Sequence, residues 1–186
     1  MNLVFLGPPG SGKGTQAIRL ASKSRLFHLS TGDMLRAAVS GKTELGQKAE
    51  DYMTRGELVP DELIIAMIEE LVEAGRLDGG FILDGFPRTI PQAEALKDMF
   101  AKHGTKLDMT ILIQVADEEI HARLRKRADI EGRSDDNDEV VRHRLEVYRD
   151  QTAPIVEFYK KEGILTEIKG EGTPDEVFER LVTATA

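Results

Sequence analysis

The sequence predicts an α/β protein, a single three-layer domain built on a parallel sheet with crossover helices. Three observations carry that prediction. Short runs apolar on both faces recur along the chain, and longer amphipathic segments separate them. A glycine-rich turn then joins the first apolar run to the first amphipathic segment. The runs Leu3-Val4-Phe5-Leu6, Phe81-Ile82-Leu83 and 109–115 read as buried strands. Residues 26–29 and 164–168 are shorter candidates, which makes a central sheet of five strands.

The intervening segments read as helices. The first begins inside the glycine-rich turn and runs to about Lys23. The next follows Ser30-Thr31, whose hydroxyls suit a cap, with Asp33 in its first turn. Residues 61–73 carry Leu63, Met67, Ile68 and Leu71 at helical spacing. Residues 138–161 place Val141, Leu145, Tyr148, Thr152, Ile155 and Tyr159 on one stripe, which Pro154 is expected to kink or divide. A last helix is predicted to open at Thr173-Pro174, a cap followed by proline at the first helical position. Two stretches fall outside the strand–helix alternation. Residues 30–59 hold two helical patterns without a strand and read as an inserted lobe. Residues 127–137, polar and interrupted by Gly132, read as a short mobile loop.

Composition narrows the function. At 186 residues and 40% apolar content the chain can bury one core. With 25 Lys and Arg against 33 Asp and Glu the net charge is −8, which argues against general nucleic-acid binding. The absence of cysteine excludes disulfides and thiolate metal sites. No leader or membrane span is visible in the sequence, so a cytoplasmic protein is expected.

The turn at 7–15, Gly7-Pro8-Pro9-Gly10-Ser11-Gly12-Lys13-Gly14-Thr15, has the chemistry of a phosphate cradle. Its glycines let successive N–H groups converge on one point, at the positive end of the following helix. Lys13 adds a mobile charge for outer phosphates. The match to G-x-x-x-x-G-K is complete, but Gly14 follows the lysine and the hydroxyl comes one position later, at Thr15. Alone, this loop implies nucleoside triphosphate binding.

Two further motifs, Ser30-Thr31-Gly32-Asp33-Met34-Leu35-Arg36 and Asp84-Gly85-Phe86-Pro87-Arg88, follow it in order. Together the three motifs resemble those of adenylate kinase, over nearly the whole chain, and the Gly14-Thr15 ending is the usual form in that family. The resemblance implies a P-loop fold and a reversible reaction in which Mg·ATP and AMP give two ADP. It places the acceptor in the inserted lobe, with Thr31 and Gln92 at the base and Arg36 and Arg88 on the AMP phosphate. Glu57, Leu58, Val59, Gly85, Phe86 and Pro87 would line that site. A guanidinium fork offers phosphate two parallel charge-assisted bonds. On the donor side it implies Gly10, Ser11, Gly12, Lys13, Gly14 and Thr15 around the phosphates, with a backbone contact from Gly172 to the adenine. Arg123 and Arg127 lie four apart on one helix face. With Arg133, Arg144, Lys13 and Arg88 they would converge on the migrating phosphoryl group. Asp84 ends a buried strand, where a carboxylate is costly without a cation, and reads as the magnesium carboxylate acting through water. Asp33 could assist it, and Asp135 and Asp136 would brace the lid arginines.

Many family members carry a lid of about thirty residues, sometimes with zinc on cysteines; this chain is similar to the short-lid form, without structural zinc. None of the four histidines is expected to be catalytic. The family implies a monomer working on small nucleotides. A UMP or CMP kinase is the near alternative, disfavoured because pyrimidine-specific relatives tend to carry a smaller residue than Thr31. A nucleotide-dependent switch is the alternative of another class, and the second motif at 84–88 speaks against it.

Overall fold

The computed structural model describes residues 1–131 and 137–186. Five parallel strands form the sheet: β1 (Asn2–Leu6), β2 (Phe27–Ser30), β3 (Phe81–Asp84), β4 (Met109–Gln114) and β5 (Leu165–Lys169). Their spatial order is β2-β3-β1-β4-β5. Around them run α1 (Lys13–Ser24), α2 (Thr31–Ser40), α3 (Glu44–Arg55), α4 (Asp61–Glu73) and α5 (Ile90–Lys102). The set continues with α6 (Asp117–Glu131), α7 (Asp138–Val147), α8 (Pro154–Lys161) and α9 (Pro174–Ala184).

Side chains alternate across the sheet, and the three central strands β1, β3 and β4 are buried on both faces. Val4 and Leu6 enter one core with Phe81, Leu83 and Leu112. Leu3 and Phe5 enter the other with Ile82, Ile111 and Ile113. The predicted three-layer α/β fold with a five-stranded parallel sheet is therefore present. Two strands start one residue later than the periodicity suggests, because helix closure takes the first apolar residue. The Leu26 N–H donates back to the Ala21 carbonyl at 3.0 Å, so β2 begins at Phe27. The Ile164 N–H donates to the Tyr159 carbonyl at 3.2 Å, so β5 begins at Leu165.

The helix expected over 138–161 is divided. After α7 the chain makes a π-helical turn over Tyr148–Thr152, and α8 starts at Pro154. Proline has no N–H to donate, and its ring would collide with the carbonyl four residues back in an unbroken α-helix. Widening the turn relieves this, and the Ala153 N–H reaches the Tyr148 carbonyl five residues back at 2.7 Å.

Caps set the entry of the helices that border the site. Ser30 accepts from the Asp33 N–H and starts α2, and Thr89 accepts from the Gln92 N–H and starts α5. Thr173 and Glu176 form a reciprocal capping box at α9. Helices α2 and α3 fill the stretch predicted as an inserted lobe. They touch through Gly46, where an added Cβ would lie 2.1 Å from the Ala38 carbonyl oxygen. Gly46→Ala must push the two helices apart, since the obstacle is backbone. The expected cost is about 1–3 kcal/mol, read as a thermal midpoint lowered by about 2–4 °C per kcal/mol. An unchanged midpoint would contradict this close approach.

Candidate functional site

Strand register builds the site edge. Asp84 pairs with Phe5 on one side and Ser30 on the other, so β1, β3 and β2 end at one level. The loop after β1, the N-terminus of α2 and the 85–88 turn therefore emerge together at the carboxyl edge of the sheet, where ligands bind in open α/β folds. The loop itself depends on left-handed glycines at Gly10 (φ 83°) and Gly12 (φ 88°). A Cβ on Gly10 would meet Leu124 at 2.8 Å, so α6 packs directly against the loop.

Two clefts open there. One, of about 990 Å³, is lined by Thr31, Leu35, Met53, Gly56 to Val59, Pro87 and Gln92, with Val147 at the end of α7 and Tyr148 and Thr152 of the π-helical turn. The other, of about 1290 Å³, is lined by Gly10, Gly12, Gly14, Thr15, Ile18, His28, Asp84, Arg123 and Arg127. They share a wall. Lys13, Arg36, Arg88 and Arg144 line both. Arg144 reaches that wall from α7 because Gly56 leaves room beneath the end of α3. A Cβ on Gly56 would stand 2.9 Å from the Arg144 side chain.

The wall is electrostatically crowded. Burial lowers the Lys13 ammonium to a pKa of about 8, Asp84 acts against this, and Arg88, Arg144 and Arg127 push it further down. Burial works to raise the Asp84 carboxyl, but His28, Lys13 and Arg88 outweigh it and hold the group below its ordinary value. Asp84 is only 7% exposed and stands 3.2 Å from where a Gly14 Cβ would sit. His28 Nε2 lies 3.7 Å from Asp84 Oδ2, beyond hydrogen-bond length.

A network orders the first cleft. Thr31 Oγ1 donates to the Gly85 carbonyl at 2.8 Å, tying α2 to β3. Gln92 is 2% exposed; its Oε1 accepts from the Arg88 N–H at 2.7 Å and its Nε2 donates to Asp61 Oδ1 at 2.8 Å. Thr89 Oγ1 donates to the other Asp61 oxygen at 2.9 Å. Arg88 Nε donates to the Gly85 carbonyl at 2.8 Å, and Arg36 pairs with Asp33 at 2.6 Å. Sequence reasoning passed over Asp61, since a carboxylate after Pro60 reads as an ordinary helix start.

Several expected site residues sit differently. The Phe86 side chain is fully buried in the core, so only its main chain can face a ligand. The Ser11 side chain is 1% exposed beneath the loop and lines neither cleft. Arg123 donates from Nη1 to the Ser11 carbonyl at 3.2 Å, from Nη2 to the Gly170 carbonyl at 2.8 Å and from Nε to Glu119 at 2.9 Å. It braces the loop and forms a side of the second cleft rather than pointing at the shared wall. Gly172 (φ 104°) lies beside Glu176 of the α9 cap and lines neither cleft. Arg133, Asp135 and Asp136 lie outside the described residues.

Among the described residues, no group of three or more His, Cys, Asp or Glu side chains could hold a metal alone. Magnesium fits nonetheless, because it keeps most of its water and takes phosphate oxygens, needing only one or two carboxylates. Asp84, ionised beside the loop, meets that need. No helix among the described residues is long and apolar enough to cross a membrane.

The sequence model of the adenylate kinase family matches residues 5–164. The chain is 53% identical to an adenylate kinase of Thermobifida fusca over 184 residues, which cover 99% of this chain and 97% of that one. It is 51% identical to one of Thermus thermophilus over 183 residues, 98% of this chain and 95% of that one. A third, from Xanthomonas campestris, is 49% identical over 181 residues, 97% of each.

The burial of Lys13, with the arginines beside it, has a consequence for the stability of the ligand-free protein. Its folded value of about 8 lies below the ordinary 10.5, so the unfolded chain holds this proton more tightly. The penalty on folding is full below about pH 8 and fades as pH rises from 8 towards 10.5. Lys13→Met is therefore expected to stabilise the ligand-free protein at pH 7, by on the order of 1–3 kcal/mol. Denaturant unfolding at pH 7 and pH 9.5 should show that gain shrinking at the higher pH. A variant less stable than the parent at pH 7 would refute it.

Proposed function

The chain belongs to the adenylate kinase family, and from that premise we propose how its two joined clefts carry out reversible phosphoryl transfer from Mg·ATP to AMP. The shared wall of Lys13, Arg36, Arg88 and Arg144 is the observation that carries this reading. Transfer between two nucleotides needs both phosphate ends against one set of cations, with no covalent intermediate on the protein.

In this reading the larger cleft takes ATP. The 10–15 backbone and the N-terminus of α1 hold the β and γ phosphates, and Arg127 adds charge from α6. Arg123 stiffens the loop and walls the donor nucleotide. Asp84 would hold the magnesium, which when bound would supply charge neutralisation to the phosphates. The smaller cleft takes AMP. Arg36 and Arg88 hold its phosphate, while Thr31, Gln92, Pro87, Gly85 and residues 57–59 surround the rest. Lys13 and Arg144 line both clefts and so can follow the group as it passes, stabilising charge in the transition state.

Water must be kept out, because it would accept the phosphoryl group. The 30–59 lobe and the short lid over about 127–137, including Arg133, are the parts proposed to close. A cytoplasmic monomer agrees with a chain that has no cysteine and draws every proposed group from one copy.

Incubation with ADP and Mg²⁺ should yield ATP and AMP together. Lys13→Ala and Arg88→Ala should each slow this by roughly 10²-fold or more, with the fold intact by circular dichroism. Near-normal turnover in either would remove its assigned role. With ATP as donor, AMP should exceed UMP, CMP and GMP as acceptor; a faster reaction with UMP would overturn the substrate assignment.

A further inference from the structure

The Gln92 amide is held in one orientation by partners that cannot exchange roles. Asp61 Oδ1, a carboxylate oxygen, can only accept, and it takes the Nε2 proton at 2.8 Å. The Arg88 main-chain N–H can only donate, and it reaches Oε1 at 2.7 Å. Turning the amide over would set NH₂ against N–H and carbonyl against carboxylate. Asp61 is itself fixed by Thr89, whose hydroxyl donates to its second oxygen at 2.9 Å. Thr89 also caps the helix that carries Gln92, at 3.2 Å from the Gln92 N–H.

We infer that Asp61 is a specificity-determining residue that acts through Gln92, selecting 6-amino over 6-oxo purine monophosphates. The inference rests on the proposed reading that Gln92 meets the acceptor base. With both partners engaged, Gln92 has one N–H and one carbonyl lone pair left, in a fixed order. Adenine presents an amino donor at C6 beside the N1 acceptor, which complements that order. Hypoxanthine presents the reverse, a carbonyl acceptor at C6 beside an N1–H donor. Binding it would require the overturned amide that Asp61 and the Arg88 N–H oppose. A buried donor facing a donor loses its own bond and leaves the partner unpaired, so the discrimination is large for one amide.

The test compares AMP with IMP as acceptors, with Mg·ATP as donor, in the parent, Asp61→Asn, Asp61→Ala and Gln92→Leu. The Asp61→Asn change keeps the shape of the side chain but can present either a donor or an acceptor to Gln92. It therefore removes the orienting constraint with little loss of packing. The ratio of kcat/KM for AMP over IMP should fall about tenfold in Asp61→Ala and by a smaller factor in Asp61→Asn. KM for ATP should stay unchanged in both. A purely structural Asp61, serving only the start of α4, would instead lower the unfolding midpoint and depress both acceptors equally; that result overturns the inference. If Gln92→Leu abolishes the preference while both Asp61 variants keep it, Asp61 does not orient the amide, though Gln92 still reads the base. If none of the variants alters the preference, the base reading fails as well.

Discussion

The in-register pairing of Asp84 with Phe5 and with Ser30 holds three strand ends at one level, and the loop, the N-terminus of α2 and the 85–88 turn hang from that alignment. From that edge leave a glycine loop, a helix N-terminus and a turn carrying Arg88. Each has a different chemical use, yet none has to search for the others, because the ladder of a parallel sheet has placed them. A slip of one residue in β3 would send Asp84 to the wrong level and turn every side chain on that strand to the opposite face. The two cores resist such a slip, since Phe81 and Leu83 are wanted on one side and Ile82 on the other. Position at the active edge is thus a by-product of hydrophobic packing on both faces.

The second constraint is charge. A chain of net charge −8 concentrates Lys13, Arg36, Arg88 and Arg144 on one partition. Asp84 offsets part of the repulsion from below, and Arg36 is paired with Asp33. Burial and the neighbouring arginines disfavour the charged Lys13 in the folded protein, and a bound phosphate would offset that cost, so binding and folding would draw on the same electrostatics. Stability at the wall and readiness for a polyanion oppose each other, as is common where a site is built for its ligand.

How much of this could be read from the sequence differs by kind of feature. The three central strands were legible because burial on both faces leaves a largely apolar run, and the loop because its glycines, lysine and flanking strand and helix coincide. The cap at Ser30 and the capping-box helix after Thr173 were legible for the same local reason. The misses are long-range. Nothing near Asp61 announces that Gln92 and Thr89, some thirty residues on, will meet it. Phe86 sits inside a motif, so its burial in the core was hidden by its neighbours. Arg123 has the right spacing to share a helix face with Arg127, but which carbonyls it meets depends on how the loop and the chain after β5 come to lie beside α6. Pro154 signalled a break, and the sequence did not say that a π-helical turn would open on its N-terminal side and line the first cleft.

The partition shared by the two clefts bears also on the balance of the reaction it serves. ATP with AMP brings three phosphates and one; two molecules of ADP bring two and two. With the nucleotides bound as proposed, the total set against Lys13, Arg36, Arg88 and Arg144, which line both clefts, would be the same before and after transfer. A wall that belonged to one cleft alone would favour whichever side placed more phosphate there. A common wall would see only the sum, so it would leave the equilibrium between the two bound states unbiased. The net direction, as with any catalyst, is set by nucleotide concentrations.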